Sequence, residues 1–348
     1  MRERIPERFR VDVIRRIGHG GEATVHELTG DRALRVYHGA PHGANEIAAF
    51  YRAIARGHTP FALPEILEQR DDDGVFYSID RFIPGRPLRE LMEHLSGDER
   101  TQALASYTDA AFEVASLPLV RHEFGEFLRD DDSIRAVTWN EYLLARMQRS
   151  LQASPWLRGD VPALDAVVVG LTERIRALTP ARKALVHGDY FPGNVLMSDE
   201  LTVAGVIDFG PLTVIGDPWL DLASALIFLE VARPGYTPAD TEFVRERLAA
   251  RLGATIQDAI TSYRGGTRSG SRRIGTTTRT STRGARLPSA RSPGTSESDG
   301  HLAGRSRTMS SWCRYSLAPN TVHRRSLPVA GSKVKPIVAR TSANPASL

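Results

Sequence analysis

Three polar side chains in the second half of the chain stand at spacings that suit one chemistry. The run Leu185-Val186-His187-Gly188-Asp189-Tyr190-Phe191-Pro192-Gly193-Asn194-Val195-Leu196-Met197 carries an apolar stretch into His187-Gly188-Asp189. Four residues intervene before Asn194, and a second apolar stretch follows. Fourteen residues beyond Asn194, Asp208 follows Val206-Ile207 and precedes Phe209-Gly210. A carboxylate on a loop between two strands can orient a hydroxyl or accept its proton, a role that suits Asp189. Amide and carboxylate oxygens are hard ligands for Mg2+ beside phosphates, a role that suits Asn194 and Asp208. Together they fit phosphoryl transfer, which needs positioning and charge neutralisation more than covalent work from the protein.

Such a constellation needs elements to hold it. Val11, Val13 and Ile17 are spaced as in a strand that breaks at Gly18–Gly21, and Val25–Leu28 and Ala33–Tyr37 read as two more strands. Residues 44–55 put Ile47, Phe50, Tyr51 and Ile54 on one helical stripe. Val75–Ile83 is a further strand, ended by Pro84-Gly85. Helical patterns then dominate, most clearly over 98–116, 138–151 and 161–178. Short strands at Ala184–His187, Val195–Met197 and Val203–Ile207 frame the polar residues, and helices follow at Leu220–Val231 and Pro238–Tyr263. A strand-rich lobe ahead of a helical lobe with a little sheet is an α+β, two-lobed arrangement, not a parallel doubly wound sheet. The expected organisation is an N-terminal lobe over 1–83, a helical lobe over 84–264 and a separate segment over 265–348.

HGDYFPGN (187–194) and IDFG (207–210) resemble the catalytic loop and metal motif of the aminoglycoside phosphotransferase/choline kinase superfamily, which shares the protein-kinase fold. Glycine rather than arginine after the histidine favours its small-molecule branch. The resemblance implies Asp189 as catalytic base, Asn194 and Asp208 as metal ligands, and His187 as a brace for the loop. It also implies Mg2+ and a nucleotide, ATP or GTP, as phosphoryl donor.

The same resemblance extends to the N-terminal strands. Gly18-His19-Gly20-Gly21-Glu22-Ala23-Thr24-Val25 is similar to a kinase glycine-rich loop, with Ala23 where a third glycine is usual. Glycines let backbone N–H groups approach phosphates, so Gly18, Gly20, Gly21 and Val25 are expected at the nucleotide. On the third strand Arg35 stands where the family has a lysine for the α- and β-phosphates. An arginine fork is cationic but not equivalent to an ammonium. Glu46, on the following helix, is the expected ion-pair partner of Arg35. Residues 76–85 resemble the interlobe hinge, which implies adenine contacts from the backbone near Asp80 and Phe82. Asp217 reads as a helix cap with Pro218 at the first helical position, and Asp221 as a brace for the catalytic loop.

Only six residues separate Gly210 from Asp217. A protein kinase needs a long activation segment there, so the expected acceptor is a small molecule bearing a hydroxyl. A protein kinase-like enzyme is the disfavoured reading, and a truncated or inactive nucleotide-binding relative is the alternative.

Charge divides the chain. Of 45 Lys and Arg and 41 Asp and Glu, residues 265–348 hold 15 and 2, leaving 30 and 39 in residues 1–264. The body is acidic, so nucleic acid is not an expected partner for it. The Ser-, Thr-, Arg- and Gly-rich tail has no sustained apolar periodicity and is expected to be disordered. Its abrupt change of composition reads as a frameshift product, with a genuine basic tail as the other reading. The single cysteine, Cys313, excludes an intramolecular disulfide. Met1–Arg10 has no apolar leader core and the longest apolar run, near Leu222–Leu229, is too short to span a bilayer. A cytoplasmic protein with no membrane contact is the expectation.

Overall fold

Strands β1 (Val13–His19), β2 (Ala23–Leu28), β3 (Arg32–Tyr37), β4 (Ile66–Asp72) and β5 (Val75–Arg81) form an antiparallel sheet in the order β1-β2-β3-β5-β4 in the computed structural model. The structure describes residues 5–19, 22–39, 43–72, 74–128, 132–231, 235–253 and 255–263. Alternation gives the sheet two faces. Leu28, Leu34, Val36, Tyr77 and Ile79 are buried together with Phe9 of a short 3-10 turn, Glu7–Phe9. Arg35 lies opposite Val25 on one side and Ser78 on the other, so these three share the second face.

Helix α1 (Ala44–Ile54) buries Phe50, Tyr51 and Ile54, the stripe expected from sequence. These residues belong to the large core of the second lobe, where Phe50 meets Phe127 and Phe209 with ring centroids 5.2 and 5.8 Å apart. A two-residue strand, β6 (Arg86–Pro87), leads into α2 (Leu88–Leu91) and α3 (Gly97–Val114). After β7 (Phe124–Glu126) and β8 (Arg135–Ala136) come α4 (Trp139–Ala153), α5 (Leu157–Asp160) and α6 (Leu164–Ala177). Thr138 and Glu141 form a capping box that fixes the start of α4.

The segment that carries Asp189, Asn194 and Asp208 runs through β9 (Ala184–Val186), β10 (Val195–Met197), β11 (Val203–Val206) and β12 (Val214–Gly216). These build two small sheets, ordered β11-β10-β6 and β8-β7-β12-β9. Helix α7 (Trp219–Val231) is apolar nearly all round and lies in the core, with Leu222, Ala223, Ala225 and Leu226 at most 2% exposed. Helices α8 (Pro238–Leu252) and α9 (Thr255–Tyr263) complete the lobe. None of the described helices is long and apolar enough to cross a membrane.

The two-lobed α+β architecture matches the sequence expectation. Three details differ. The helix expected over 238–263 is broken at Gly253, whose φ of +72° ends α8. The strand expected to reach Ile83 ends at Arg81. Strand β4, with the sequence ILEQRDD, is an edge strand whose charges hide its alternation. Residues 265–348, with the disorder and frameshift readings made for them, lie outside the described residues, as do Gly20 and Gly21.

Candidate active site

Strand β9 delivers His187, which is fully buried, into the turn that carries Asp189. The His187 ring lies against Phe209, centroids 4.3 Å apart, and its Nε2 is 2.9 Å from the Ile207 carbonyl. A carbonyl only accepts, so Nε2 carries the proton and Nδ1 is the acceptor for the Asp189 N–H at 3.3 Å. Burial pushes the imidazole pKa down, which favours this neutral tautomer. His187 therefore ties the loop of Asp189 to the strand that leads to Asp208, the bracing role expected of it.

Gly188 must be glycine. Its φ is +78°, and a Cβ there would lie 2.0 Å from the Leu212 carbonyl oxygen. The Gly188 N–H donates to Asp221 Oδ1 at 2.9 Å, and the His187 N–H donates to Asp221 Oδ2 at 2.6 Å. Asp221 is buried on the first turn of α7, so the central helix holds the turn before Asp189 directly. Asp217 receives the N–H groups of Trp219 (3.2 Å) and Ala181 (3.3 Å) and the Tyr263 hydroxyl (2.7 Å), as a helix cap would.

Asn194 closes the loop. Its Nδ2 donates to the Asp189 carbonyl at 3.0 Å and reaches Asp189 Oδ2 at 3.4 Å. Its own backbone carbonyl accepts the Ile207 N–H at 2.9 Å, so Asn194 is bonded to the residue before Asp208. Asp208 has a φ of +69° and a side chain 62% exposed, held out from the strand end rather than packed beneath it. With Nδ2 turned to Asp189, the Asn194 amide oxygen faces away from it. One amide oxygen and one exposed carboxylate, both hard donors, fit Mg2+, which keeps water and phosphate oxygens in the rest of its shell. Among the described residues no group of three or more His, Cys, Asp or Glu could hold a metal by itself.

Two residues missed in the sequence reading complete the frame. The buried Thr213 hydroxyl donates to the His187 carbonyl at 3.1 Å and accepts the Gly210 N–H at 3.0 Å. It clamps the short segment after Asp208 onto the loop that carries Asp189. The Tyr51 hydroxyl donates to the Phe209 carbonyl at 2.9 Å and joins α1 to the residue after Asp208. A lone threonine in a short, mostly apolar connection and a helical tyrosine carry no sequence signal for these roles.

In the first lobe, Gly18 pairs with Val25 across β1 and β2, beneath the turn expected at the phosphates. Arg35 is not paired with Glu46. Its Nε donates to Asp80 Oδ2 at 3.1 Å, and its Nη1 is 4.0 Å from Asp208 Oδ1. The reason is register. Asp80 lies two residues along β5 from Ser78, the direct partner of Arg35, and therefore on the same sheet face. Glu46 is exposed on the first turn of α1. The Phe82 N–H is already used by the Asp31 carbonyl at 2.9 Å, and Asp80 faces Ala33 and Ile66 within the sheet. Of the expected hinge pair, the Asp80 side chain thus serves Arg35, and the Phe82 N–H serves the turn between β2 and β3.

The chain matches the model of the phosphotransferase enzyme family over residues 13–265. No curated protein matches it in sequence. Among solved structures it is similar to the gentamicin complex of APH(2")-IIa, at 19% identity and a TM-score of 0.52, covering 72% of this chain and 80% of that one. It is also similar to the aminoglycoside phosphotransferase APH(2'')-Ib with ADP bound, at 17% identity and a TM-score of 0.52 with the same coverages. The streptomycin–ATP ternary complex of APH(2")-IIa follows at 18% identity and a TM-score of 0.50, again covering 72% and 80%. At these identities the likeness establishes the fold. The match over residues 13–265 spans both lobes and every side chain placed in this site, and on it the chain belongs to the phosphotransferase enzyme family.

Proposed function

We propose that this protein is a small-molecule kinase that moves the γ-phosphoryl group of ATP to a hydroxyl of its acceptor. The observation that carries the reading is the joining of Asp189, Asn194 and Asp208 into one frame: Asn194 Nδ2 on Asp189, the Asn194 carbonyl on Ile207, and His187 bridging both segments. Asp189 orients the acceptor hydroxyl and takes its proton as the oxygen attacks the γ-phosphorus; the bond to the β–γ bridging oxygen breaks and ADP leaves. Asn194 and Asp208 hold Mg2+, which neutralises charge on the phosphates when bound. The β1–β2 turn with Gly18, Gly20, Gly21 and Val25 covers the nucleotide, and the Nη groups of Arg35 face its phosphates. The six residues between Gly210 and Asp217, pinned by Thr213, leave no platform for a peptide. That favours a small acceptor.

The test is a screen of hydroxyl-bearing acceptors with ATP and with GTP, on wild type beside Asp189→Ala. Transfer by wild type, reduced by about 100- to 10,000-fold in the variant, is expected for loss of a general base. Equal transfer by both would remove Asp189 from the reaction. Nucleotide binding without transfer to any acceptor would instead favour a nucleotide-binding protein of kinase fold.

A further inference from the structure

Two carboxylates compete for Arg35. Asp80 takes a directed hydrogen bond from Nε at 3.1 Å, whereas Asp208 stands 4.0 Å from Nη1, beyond hydrogen-bond range. The first contact is sheltered. The Asp80 side chain is 13% exposed and that of Arg35 28%, and Asp80 Oδ1 is buried with no hydrogen-bond partner among the described residues. Removing one partner from a sheltered pair costs far more than breaking an exposed one, because a charge is left behind.

We infer that Asp80 is the positioning residue of the phosphate site: it holds the Arg35 guanidinium on the face of the first sheet and off Asp208. The inference rests on the reading of Arg35 as the phosphate-binding cation. It assigns to a strand the task that the resemblance gave to Glu46 on α1. Ladder pairs on both sides of Arg35, to Val25 and to Ser78, fix its distance from Asp80, so the site is assembled without any adjustment of α1. It also accounts for arginine at this position. A guanidinium donates from Nε toward Asp80 and from its Nη groups toward an anion in another direction, which a single ammonium cannot reproduce. With Asp80 neutralised, the nearest remaining anion for Arg35 is Asp208, and the cation would collapse onto the carboxylate proposed for the metal.

The test is ATP binding to the full chain by calorimetry, in EDTA and with Mg2+, each variant first checked for cooperative unfolding. In EDTA, Arg35→Ala and Asp80→Asn are each expected to weaken ATP binding by about tenfold or more. The double variant is expected to bind no more weakly than Arg35→Ala alone, Glu46→Gln to stay within about twofold of wild type, and Asp80→Glu to recover part of the loss. Wild-type affinity in Asp80→Asn beside a weakened Arg35→Ala overturns the inference and leaves the reading of Arg35 intact. A Glu46→Gln as weak as Arg35→Ala also overturns it. Unchanged affinity in Arg35→Ala removes the reading itself. Should Asp80→Asn not fold, Arg35→Lys decides: a loss of about fivefold or more is expected, and a lysine that binds ATP as well as arginine overturns the inference.

Discussion

Asp221 accepts the N–H of Gly188 at 2.9 Å with one carboxylate oxygen and, with the other, the N–H of His187 at 2.6 Å. The carboxylate is buried, and burial pushes its pKa up to about 7, against the pull of the same two N–H groups. Below the unfolded value, near 3.9, the group is neutral in both states. Between that value and about 7 the native state holds the extra proton, so this group's contribution to stability is present at low pH and is lost as pH rises through the window. Asp221→Asn keeps the shape but turns an amide N–H toward a backbone N–H. Thermal and urea unfolding at several pH values should show a less stable variant, with the advantage of wild type narrowing from pH 4 to 7. An advantage that stays level or widens with pH would contradict the assignment.

Gly188→Ala tests the same turn from the other side. An L side chain in the left-handed region costs roughly 1–2 kcal/mol. The added Cβ must also displace the Leu212 carbonyl from 2.0 Å, which no rotamer change relieves. The melting temperature is expected to fall by about 5 °C or more, with transfer lost as Asp189 moves. A variant that melts and turns over like wild type would show that the turn tolerates a β-carbon.

How far the sequence reaches is clear from these residues. His187–Asn194 stood out because fully buried apolar strands flank a polar loop, so Val186 and Val195 announce the loop as plainly as Asp189 does. The stripe of α1 and the Asp217 cap of α7 are local and equally legible, whereas the Thr138–Glu141 cap of α4 appears only in the structure. Arg35–Asp80 needs the register of β3 against β5, 45 residues apart, and Tyr51–Phe209 spans 158 residues. Side-chain type alone gives no weight to Asp80 over Glu46; strand pairing does. Strands of two or three residues such as β6, β7, β8 and β12 are too short to show alternation, and β6 and β12 pair with strands far away in sequence.

Thr213 is a third such long-range tie and gives a sharp comparison. Thr213→Val preserves volume but leaves the His187 carbonyl and the Gly210 N–H without their shared partner. Leaving buried polar groups unpaired costs about 1–3 kcal/mol. Chemical denaturation should show that loss for Thr213→Val and little for Thr213→Ser, which retains the hydroxyl. Equal stability of the two variants would assign Thr213 to packing alone.

Asn194 is proposed to do two jobs with two ends of one amide, and substitution can separate them. The Nδ2 end steadies Asp189 through contacts at 3.0 and 3.4 Å, while the oxygen end is the proposed metal ligand. Asn194→Asp keeps an oxygen for Mg2+ but loses both donors and sets a second carboxylate beside Asp189. It is expected to retain a near-normal Mg2+ requirement while kcat falls by about 10- to 100-fold. Asn194→Ala loses both ends, so the half-saturating Mg2+ concentration should rise together with the fall in kcat. Titrating Mg2+ at saturating nucleotide measures the two effects separately. If Asn194→Asp raises the Mg2+ requirement as much as Asn194→Ala does, the oxygen end is not a ligand, and the contribution of Asn194 is confined to holding Asp189 in place.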